Sequence, residues 1–153
     1  MELHVTFREA TINDLDSIVK MLVDDELGKE REHYSAPILD AYIKSFHVIS
    51  NDPNNELIVA CIKDEVVGVQ QLTFIPYLTN QDGWRATIEG VRVASSARGK
   101  GIGTMLINQA IDRAKELGCH LIQLTTDKKR EETLRFYERL EFTATHEGLK
   151  KHM

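Results

Sequence analysis

The sequence has little of what would hold a small fold together covalently or bind a metal ion. It contains two cysteines, Cys61 and Cys119, which sit beside apolar residues and belong to no paired-spacing motif. Its six histidines are scattered without the spacing of metal ligands. We therefore expect free, buried thiols in a reducing compartment and no metal site.

Long apolar runs and a surplus of positive charge are also missing. No stretch approaches the ~18–20 apolar residues that a membrane span needs, and residues 1–4 carry neither the basic nor the apolar part of a secretory signal. The formal net charge is -5, which disfavours nucleic acid because such partners bind basic faces. The expectation is a cytoplasmic protein with no membrane and no nucleic-acid partner.

The length and the periodicity of apolar residues indicate one α+β domain over residues 1–153. Apolar positions alternate in some segments, as in strands, and recur at helical spacing in others. The predicted strands are 3–8, 56–62, 66–74, 84–93, 121–125 and two short ones within 142–152. The predicted helices are 15–22, one that opens at Pro37 and stops at 51–54, 102–117 and 131–140. This order predicts a mixed sheet, with a hairpin at 63–65 and a loop at 76–83.

The most informative segment is a glycine-rich turn between a strand and a helix. Gly99, Gly101 and Gly103 alternate there with other residues, and they allow backbone N–H groups to converge on an anion. The start of the helix adds partial positive charge, and Arg98 and Lys100 add full charges. The turn therefore has the features of a diphosphate cradle.

The glycine spacing alone leaves other interpretations open. It is G-x-G-x-G, whereas dinucleotide sites use G-x-G-x-x-G and a P-loop uses G-x-x-x-x-G-K-[ST]. A flexible turn without a ligand is one alternative. A nucleotide-binding module of another class is a second, and it would bind NAD or ATP in preference to CoA.

Two motifs in this order resemble those of the GNAT superfamily of N-acetyltransferases. The run Arg98-Gly99-Lys100-Gly101-Ile102-Gly103 matches the [QR]-x-x-G-x-[GA] signature of that family. Downstream, the run Arg135-Phe136-Tyr137-Glu138-Arg139-Leu140-Glu141-Phe142 is similar to its F-Y-x-x-x-G-F motif. The resemblance extends over essentially the full chain. It implies a mostly antiparallel mixed sheet flanked by about four helices, acetyl-CoA as the acetyl donor, and direct transfer in a ternary complex.

The resemblance also implies how the coenzyme is held. Backbone N–H groups from Arg98 to Thr104 would hold its pyrophosphate, and the strand with Val91 and Val93 would pair with the pantetheine arm. A bulge is expected to open this strand from its neighbour, and an N–H near Val91 would stabilise the oxyanion. The predicted coenzyme-binding residues are Val91, Arg92, Val93, Arg98, Gly99, Lys100, Gly101, Ile102, Gly103, Thr104, Lys129, Arg130 and Phe136.

The resemblance assigns acid–base roles to two residues. Glu89 would accept the proton of the amine, and regular alternation would put it on one face of its strand with Val91 and Val93. Burial there would raise its pKa, although a solvated strand-end glutamate is the plainer interpretation. Tyr137 would act as general acid near the coenzyme sulfur, unless it and Phe136 are simply core aromatics.

The chain departs from the family pattern at two positions. Arg130 stands where many relatives have an asparagine, seven residues before the tyrosine, and it ends a basic run of residues 128–130. That run either grips phosphates, including the 3′-phosphate, or starts a solvated helix. Glu141 replaces the usual glycine at a helix end that often requires positive φ, which would cost about 1 kcal/mol.

The acceptor is the least defined part of the prediction. Residues 24–33 carry five acids against two bases, so this loop would attract a cationic amine unless it is only a solvated loop. Residues 124–130 and 146–150 are similar to family members that act on small amines such as aminoalkylphosphonates. We expect a small-molecule primary amine as acceptor and, by analogy alone, a homodimer. A protein or peptide amine, or an acetyl-CoA sensor without turnover, are the alternatives.

Overall fold

The structure is a computed structural model that describes residues 3–153. The expectation about a secretory signal falls partly on Met1 and Glu2, which lie outside the described residues. The chain divides into a first compact unit that ends at Gln123 and a second unit from Leu124 to Met153. The strands are β1 (Val5–Glu9), β2 (Asn55–Ile62), β3 (Glu65–Tyr77), β4 (Gly83–Val93) and β5 (Leu121–Leu124). The helices are α1 (Leu15–Val23), α2 (Gly28–Arg31), α3 (Asp40–Asn51), α4 (Thr79–Asp82), α5 (Ile102–Glu116) and α6 (Glu131–Arg139).

The five strands form one mixed sheet in the order β1-β2-β3-β4-β5. The first three pairings are antiparallel. β5 is parallel to β4, because the His120 N–H donates to the Trp84 carbonyl and Gln123 Nε2 donates to the Thr87 hydroxyl, and both pairs have the same sequence offset of 36. α5 crosses between these two strands, as parallel neighbours require. The predicted mixed, mostly antiparallel sheet is confirmed.

Both faces of the sheet are covered in the first unit. On one face, Ile18 of α1 packs against Val59 and Val69. On the other face, Ile102 and Leu106 of α5 pack in a cluster with β2 and β3. Burial of these side chains, each worth roughly 1.5–3 kcal/mol, fixes α5 against the sheet and so fixes the turn that precedes it.

The structure differs from the sequence-based expectations in four segments. Residues 24–33, expected as a loop, contain the short helix α2. The second long helix begins at Asp40 instead of Pro37, because the backbone stays extended through Leu39, whose ψ is 138°. β3 continues to Tyr77, and Pro76 pairs with Trp84, so the expected loop of 76–83 is shorter. The two strands expected within 142–152 are absent: the described residues 143–153 have no regular secondary structure and all are exposed.

Both cysteines are free, as expected. Cys61 is buried and Cys119 is half-buried, and burial raises the pKa of the Cys119 thiol. Among residues 3–153, no three His, Cys, Asp or Glu side chains gather into a possible metal site. None of the helices in this part of the chain has the length and apolar content to cross a membrane.

α5 ends as its sequence predicts. Gly118 follows the last turn with φ 75°, and the Cys119 N–H donates to the Ala114 carbonyl at 2.9 Å. The Gly118 N–H donates to the Lys115 carbonyl at 3.1 Å, which completes a Schellman motif. The position requires a left-handed residue, and glycine supplies it without strain.

α6 ends in the same motif with a different residue. The Phe142 N–H donates to the Tyr137 carbonyl at 3.1 Å, and the Glu141 N–H donates to the Glu138 carbonyl at 3.0 Å. Glu141 therefore occupies the left-handed position, with φ 70°. The expectation that a non-glycine residue here adopts positive φ is confirmed, and the backbone is strained at this point.

We predict opposite effects from exchanging the residue type at these two helix ends. Glu141→Gly should raise the free energy of unfolding by about 1 kcal/mol, because it relieves the left-handed strain. Gly118→Ala should lower it by a similar amount through φ strain alone, since a Cβ there would meet no atom within 4 Å. Urea unfolding of both variants measures the change. A lower stability for Glu141→Gly would show that its side chain contributes more than the strain costs.

Candidate functional site

The glycine-rich turn joins β4 to α5 in a fixed backbone geometry. Gly99 and Gly101 have φ 78° and 80°, and Gly101 is the residue directly before α5. A Cβ on either glycine would meet no atom within 4 Å. The glycines are therefore required by the left-handed backbone and not by crowding.

The backbone N–H groups of this turn are not used in backbone hydrogen bonds of residues 3–153. The first N–H of α5 that bonds back is that of Met105, which donates to the Gly101 carbonyl at 3.1 Å. Within residues 3–153, none of the N–H groups of residues 99–104 donates to a backbone carbonyl. Such donors at a helix start bind anions. The turn thus fits a diphosphate group by its donor chemistry.

The two basic side chains of the turn differ in their surroundings. Lys100 is exposed. The Arg98 guanidinium donates to the Asp24 carbonyl at 2.9 Å and to the Val93 carbonyl at 3.3 Å, and it lies 3.5 Å from the Asp24 carboxylate. Arg98 therefore contributes charge at the edge of the turn and also connects it to the loop after α1.

β4 contains a bulge just before the turn. Gln71 pairs with Glu89 and Val69 pairs with Arg92, so Gly90 and Val91 together oppose the single residue Gln70. Gly90 has φ 63°, the left-handed conformation that a glycine at a bulge supplies. The bulge expected from the family resemblance is present in β4.

The residue opposite the bulge joins the sheet to α5. Gln70 is fully buried. Its Nε2 donates to the Leu106 carbonyl and to Gln109 Oε1, both at 2.8 Å. These hydrogen bonds connect β3 to α5 at the residue that lies opposite the bulge of β4.

The bulge corrects two expectations about Glu89. Glu89 pairs with Gln71 whereas Val93 pairs with Gly68, and these two β3 positions face opposite sides of the sheet. The prediction that Glu89, Val91 and Val93 share one face is therefore wrong, because the extra residue shifts the alternation. Val91 and Val93 instead pack in the cluster on the α5 face. The expected burial is also wrong, since Glu89 is exposed.

The bulged strand is tied to the acidic loop of residues 24–33. Arg92 lies 3.6 Å from the Asp25 carboxylate, and only 15% and 12% of the two side chains are exposed. Arg92 also donates to the Val91 carbonyl at 2.8 Å, and Asp25 accepts the Gly28 N–H at 2.9 Å. The acidic loop is therefore held against the end of β4 by a mostly buried ion pair.

Most of the residues that position this site were not identified by the sequence analysis. Gly90 carried a usable signal, because an isolated glycine inside a strand pattern indicates a bulge. Gln70 and Asp25 carried none, since their partners lie far along the chain. Their roles depend on which segments the fold brings together.

The remaining predicted residues lie in the second unit. Tyr137 is buried in α6, and its ring contacts those of Phe136 and Phe142 edge-on, with centroids 5.1 and 5.7 Å apart. Lys129 donates its N–H to the Asp127 carboxylate at 2.9 Å, and Arg130 directly precedes α6. Their catalytic and coenzyme-binding roles stay predictions.

Comparison with known proteins identifies the class. Residues 16–142 match the Acetyltransferase (GNAT) family, and the chain belongs to this family. It is 30% identical to the aminoalkylphosphonate N-acetyltransferase of Salmonella typhimurium over 91% of this chain and 85% of that protein.

Solved structures have the same fold. A chain described as a transcriptional regulator from Bacillus halodurans is 61% identical, with a TM-score of 0.95 over 98% of this chain and 100% of that one. A predicted acetyltransferase of Clostridium acetobutylicum, solved with acetyl-CoA, has a TM-score of 0.73 at 20% identity, over 97% of this chain and 96% of that one. The latter shows the fold alone.

We predict that the turn is sensitive to a single methyl group at Gly101. Gly101→Ala should lower the free energy of unfolding by about 1 kcal/mol through φ strain and weaken the binding of inorganic pyrophosphate. Gly148→Ala is the matched control, because that glycine has open space and no positive φ. Urea unfolding and titration calorimetry measure both effects. Equal behaviour of the two variants would contradict the role of the left-handed turn.

Proposed function

We propose that the protein transfers the acetyl group of acetyl-CoA to a primary amine of a small molecule, directly within a ternary complex. The observation that carries this proposal is the run of N–H donors at residues 99–104, which follows a bulged strand and opens α5. An acetyltransferase of this family needs an anion cradle next to an irregular strand, and the first unit has both.

The cradle and the strand before it account for most of the predicted coenzyme contacts. The N–H groups of residues 99–104 would hold the pyrophosphate, with Arg98 and Lys100 adding charge. Val91 and Val93 would offer backbone groups to the pantetheine arm. β5 ends one residue after Gln123, whose side chain donates to the Thr87 hydroxyl, whereas β4 continues beyond Thr87 to Val93. The coenzyme supplies the activated acetyl thioester.

The proposed chemistry needs a proton acceptor, an oxyanion donor and a proton donor. Glu89 accepts the proton of the amine and, being exposed, passes it to water. The N–H of Val91, in the bulge, stabilises the oxyanion. The Tyr137 hydroxyl protonates the departing thiolate. Lys129 and Arg130 contact phosphate oxygens, and Phe136 packs beside Tyr137.

The acceptor proposal rests on the charge and position of the loop of residues 24–33. Its acids exceed its bases by five to two, and Asp25 holds it to the strand that carries Glu89. A cationic amine would be attracted to this loop. The named activity of the Salmonella relative supports a small primary amine as acceptor. We also propose that residues 1–153 act as one domain, because the family match spans both compact units.

The test of the proposed function is thiol release from acetyl-CoA with a panel of small amines, polyamines, amino acids and peptide N-termini. Release that depends on one amine class supports the enzyme and narrows the acceptor. Preference for peptide amines would replace the small-molecule acceptor. No release across the panel, with CoA still raising the melting temperature, would favour a non-catalytic acetyl-CoA sensor.

A regulatory role is the second candidate, because the relative from Bacillus halodurans is described as a transcriptional regulator. The net charge of -5 argues against direct DNA binding. A DNA mobility-shift experiment at low salt distinguishes the two. A specific shift would support a regulator, and none is expected.

We predict that Tyr137→Phe lowers kcat about 100-fold, the usual scale for a lost general acid, and leaves coenzyme affinity nearly unchanged. Steady-state kinetics and CoA titration measure the two quantities. Tyr77→Phe is the control, because it removes a tyrosine hydroxyl at the end of β3, outside the predicted catalytic and coenzyme-binding residues. Wild-type kcat for Tyr137→Phe would remove Tyr137 from the acid role.

We predict that Glu89→Gln lowers kcat/KM most at neutral pH, where the amine is protonated. The deficit should shrink as pH rises, because the amine loses its proton without help. Rates across pH 6–10 measure the ratio of variant to wild type, with Glu65→Gln as an exposed strand control. A ratio that does not change with pH would remove Glu89 from the base role.

A further inference from the structure

Arg85 differs from the other arginines of the first unit in its lack of an acidic partner. Within the described residues 3–153, its side chain makes no ion pair and no hydrogen bond. It is half-buried, and its Nε is buried. Each of the other five arginines within residues 3–123 lies between 2.7 and 3.7 Å from a carboxylate oxygen, and these are Arg8, Arg31, Arg92, Arg98 and Arg113. A partly buried charge without a partner is costly, so Arg85 points to an anion from outside the chain.

The Arg85 guanidinium is supported by an aromatic ring. Its Cζ lies 4.7 Å from the centroid of the Tyr77 ring, and the His120 ring lies on the same tyrosine with centroids 5.4 Å apart. An arginine that stacks on a ring still donates from its N–H edge, whose planar fork matches an oxyanion. Tyr77 contributes its ring alone, which Tyr77→Phe retains.

Arg85 and Glu89 lie on the same face of β4. The pairing with β3 is regular from Arg85, which pairs with Ile75, to Glu89, which pairs with Gln71, and the bulge follows Glu89. Residues 85, 87 and 89 therefore alternate onto one face, and Thr87 between them is polar and half-buried. At the usual rise of a strand, the Cα atoms of Arg85 and Glu89 are about 13 Å apart.

We propose that Arg85 binds an oxyanion, a carboxylate or a phosphonate, at the far end of the acceptor amine. The assignment rests on the proposed function, because Glu89 marks the end at which the amine reacts. The acceptor is then an extended amino acid whose amine and oxyanion are separated by about the distance between these two residues. Both ends are recognised by opposite charge, the amine by the acidic loop of residues 24–33 and the oxyanion by Arg85.

Kinetics with matched amines tests this subsite on the full chain. In the wild type, ω-aminooctanoate and ω-aminooctylphosphonate should each have a kcat/KM about 10- to 100-fold above that of octylamine, the scale of one hydrogen bond to a charged group. The comparison of the two anionic amines identifies the preferred oxyanion. β-Alanine is too short to reach Arg85 from Glu89, so it should gain no such advantage over propylamine.

Substitution of Arg85 should act on the anionic amines alone. Arg85→Gln should remove their advantage by raising KM, with the kcat/KM of octylamine unchanged. Lys115→Gln is the matched control, because it also removes one positive charge, from an exposed position of α5 outside the site, and it should leave all rates unchanged. Circular dichroism checks that both variants are folded.

A binding measurement separates the subsite from the reaction. Methylphosphonate or acetate, added to the wild type without CoA, should shift the Arg85 Nε–Hε resonance in proton–nitrogen correlation spectra. A shift at Arg85 without thiol release from any amine would support the subsite and remove the proposed acetyl transfer. No shift at Arg85, or an equal loss of kcat/KM for octylamine and the anionic amines in Arg85→Gln, would overturn the subsite and leave the transfer standing.

Discussion

The extra residue in β4 is the constraint on which the arrangement of the site depends. Because Gly90 and Val91 together oppose Gln70, the strand changes which face each later side chain occupies. Glu89 and Arg92 point to the face that α1 covers, and Val91 and Val93 point to the face that α5 covers. Without the bulge, Arg92 would turn away from Asp25, and the acidic loop would lose its mostly buried ion pair with β4.

Two arginines link the acidic loop with the segment that precedes α5. Arg92 reaches Asp25 from inside the strand, and Arg98 reaches the Asp24 carbonyl from the turn. The first pair is mostly buried, so removing one partner would leave an uncompensated charge. The second pair is exposed and contributes little by itself. The loop therefore has one mostly buried link to β4 and one exposed link to the turn.

The sequence allowed the local features of the fold to be predicted but not those that depend on distant pairing. The left-handed positions at Gly118 and Glu141 follow from helix-end chemistry within a few residues. The glycine-rich turn follows in the same way. The face of Glu89 was predicted wrongly because strand alternation assumes no bulge. The predicted burial of Glu89 was wrong for a related reason, because the pattern of one strand does not reveal which elements cover each face of the sheet.

Residues 143–153 show a different limit of sequence reasoning. Residues within 142–152 have a strand-like pattern, and the single chain leaves them without strand structure. An alternating apolar pattern indicates that a segment can form a β-strand. It forms one only where the fold places the segment beside an unpaired strand edge. The ion pair between Lys128 and Glu147, 3.8 Å apart and exposed, contributes little to holding these residues in place.

The left-handed conformations of the two glycines before α5 affect the rate at which an anion could bind to the turn and the conformational entropy that its binding would cost. Because glycine adopts the left-handed conformations at residues 99 and 101 without steric strain, the turn can present its donors to an anion at little conformational cost. Binding then requires no folding of the turn, and little conformational entropy is lost in the encounter. Preorganisation of this kind favours rapid capture of an anion.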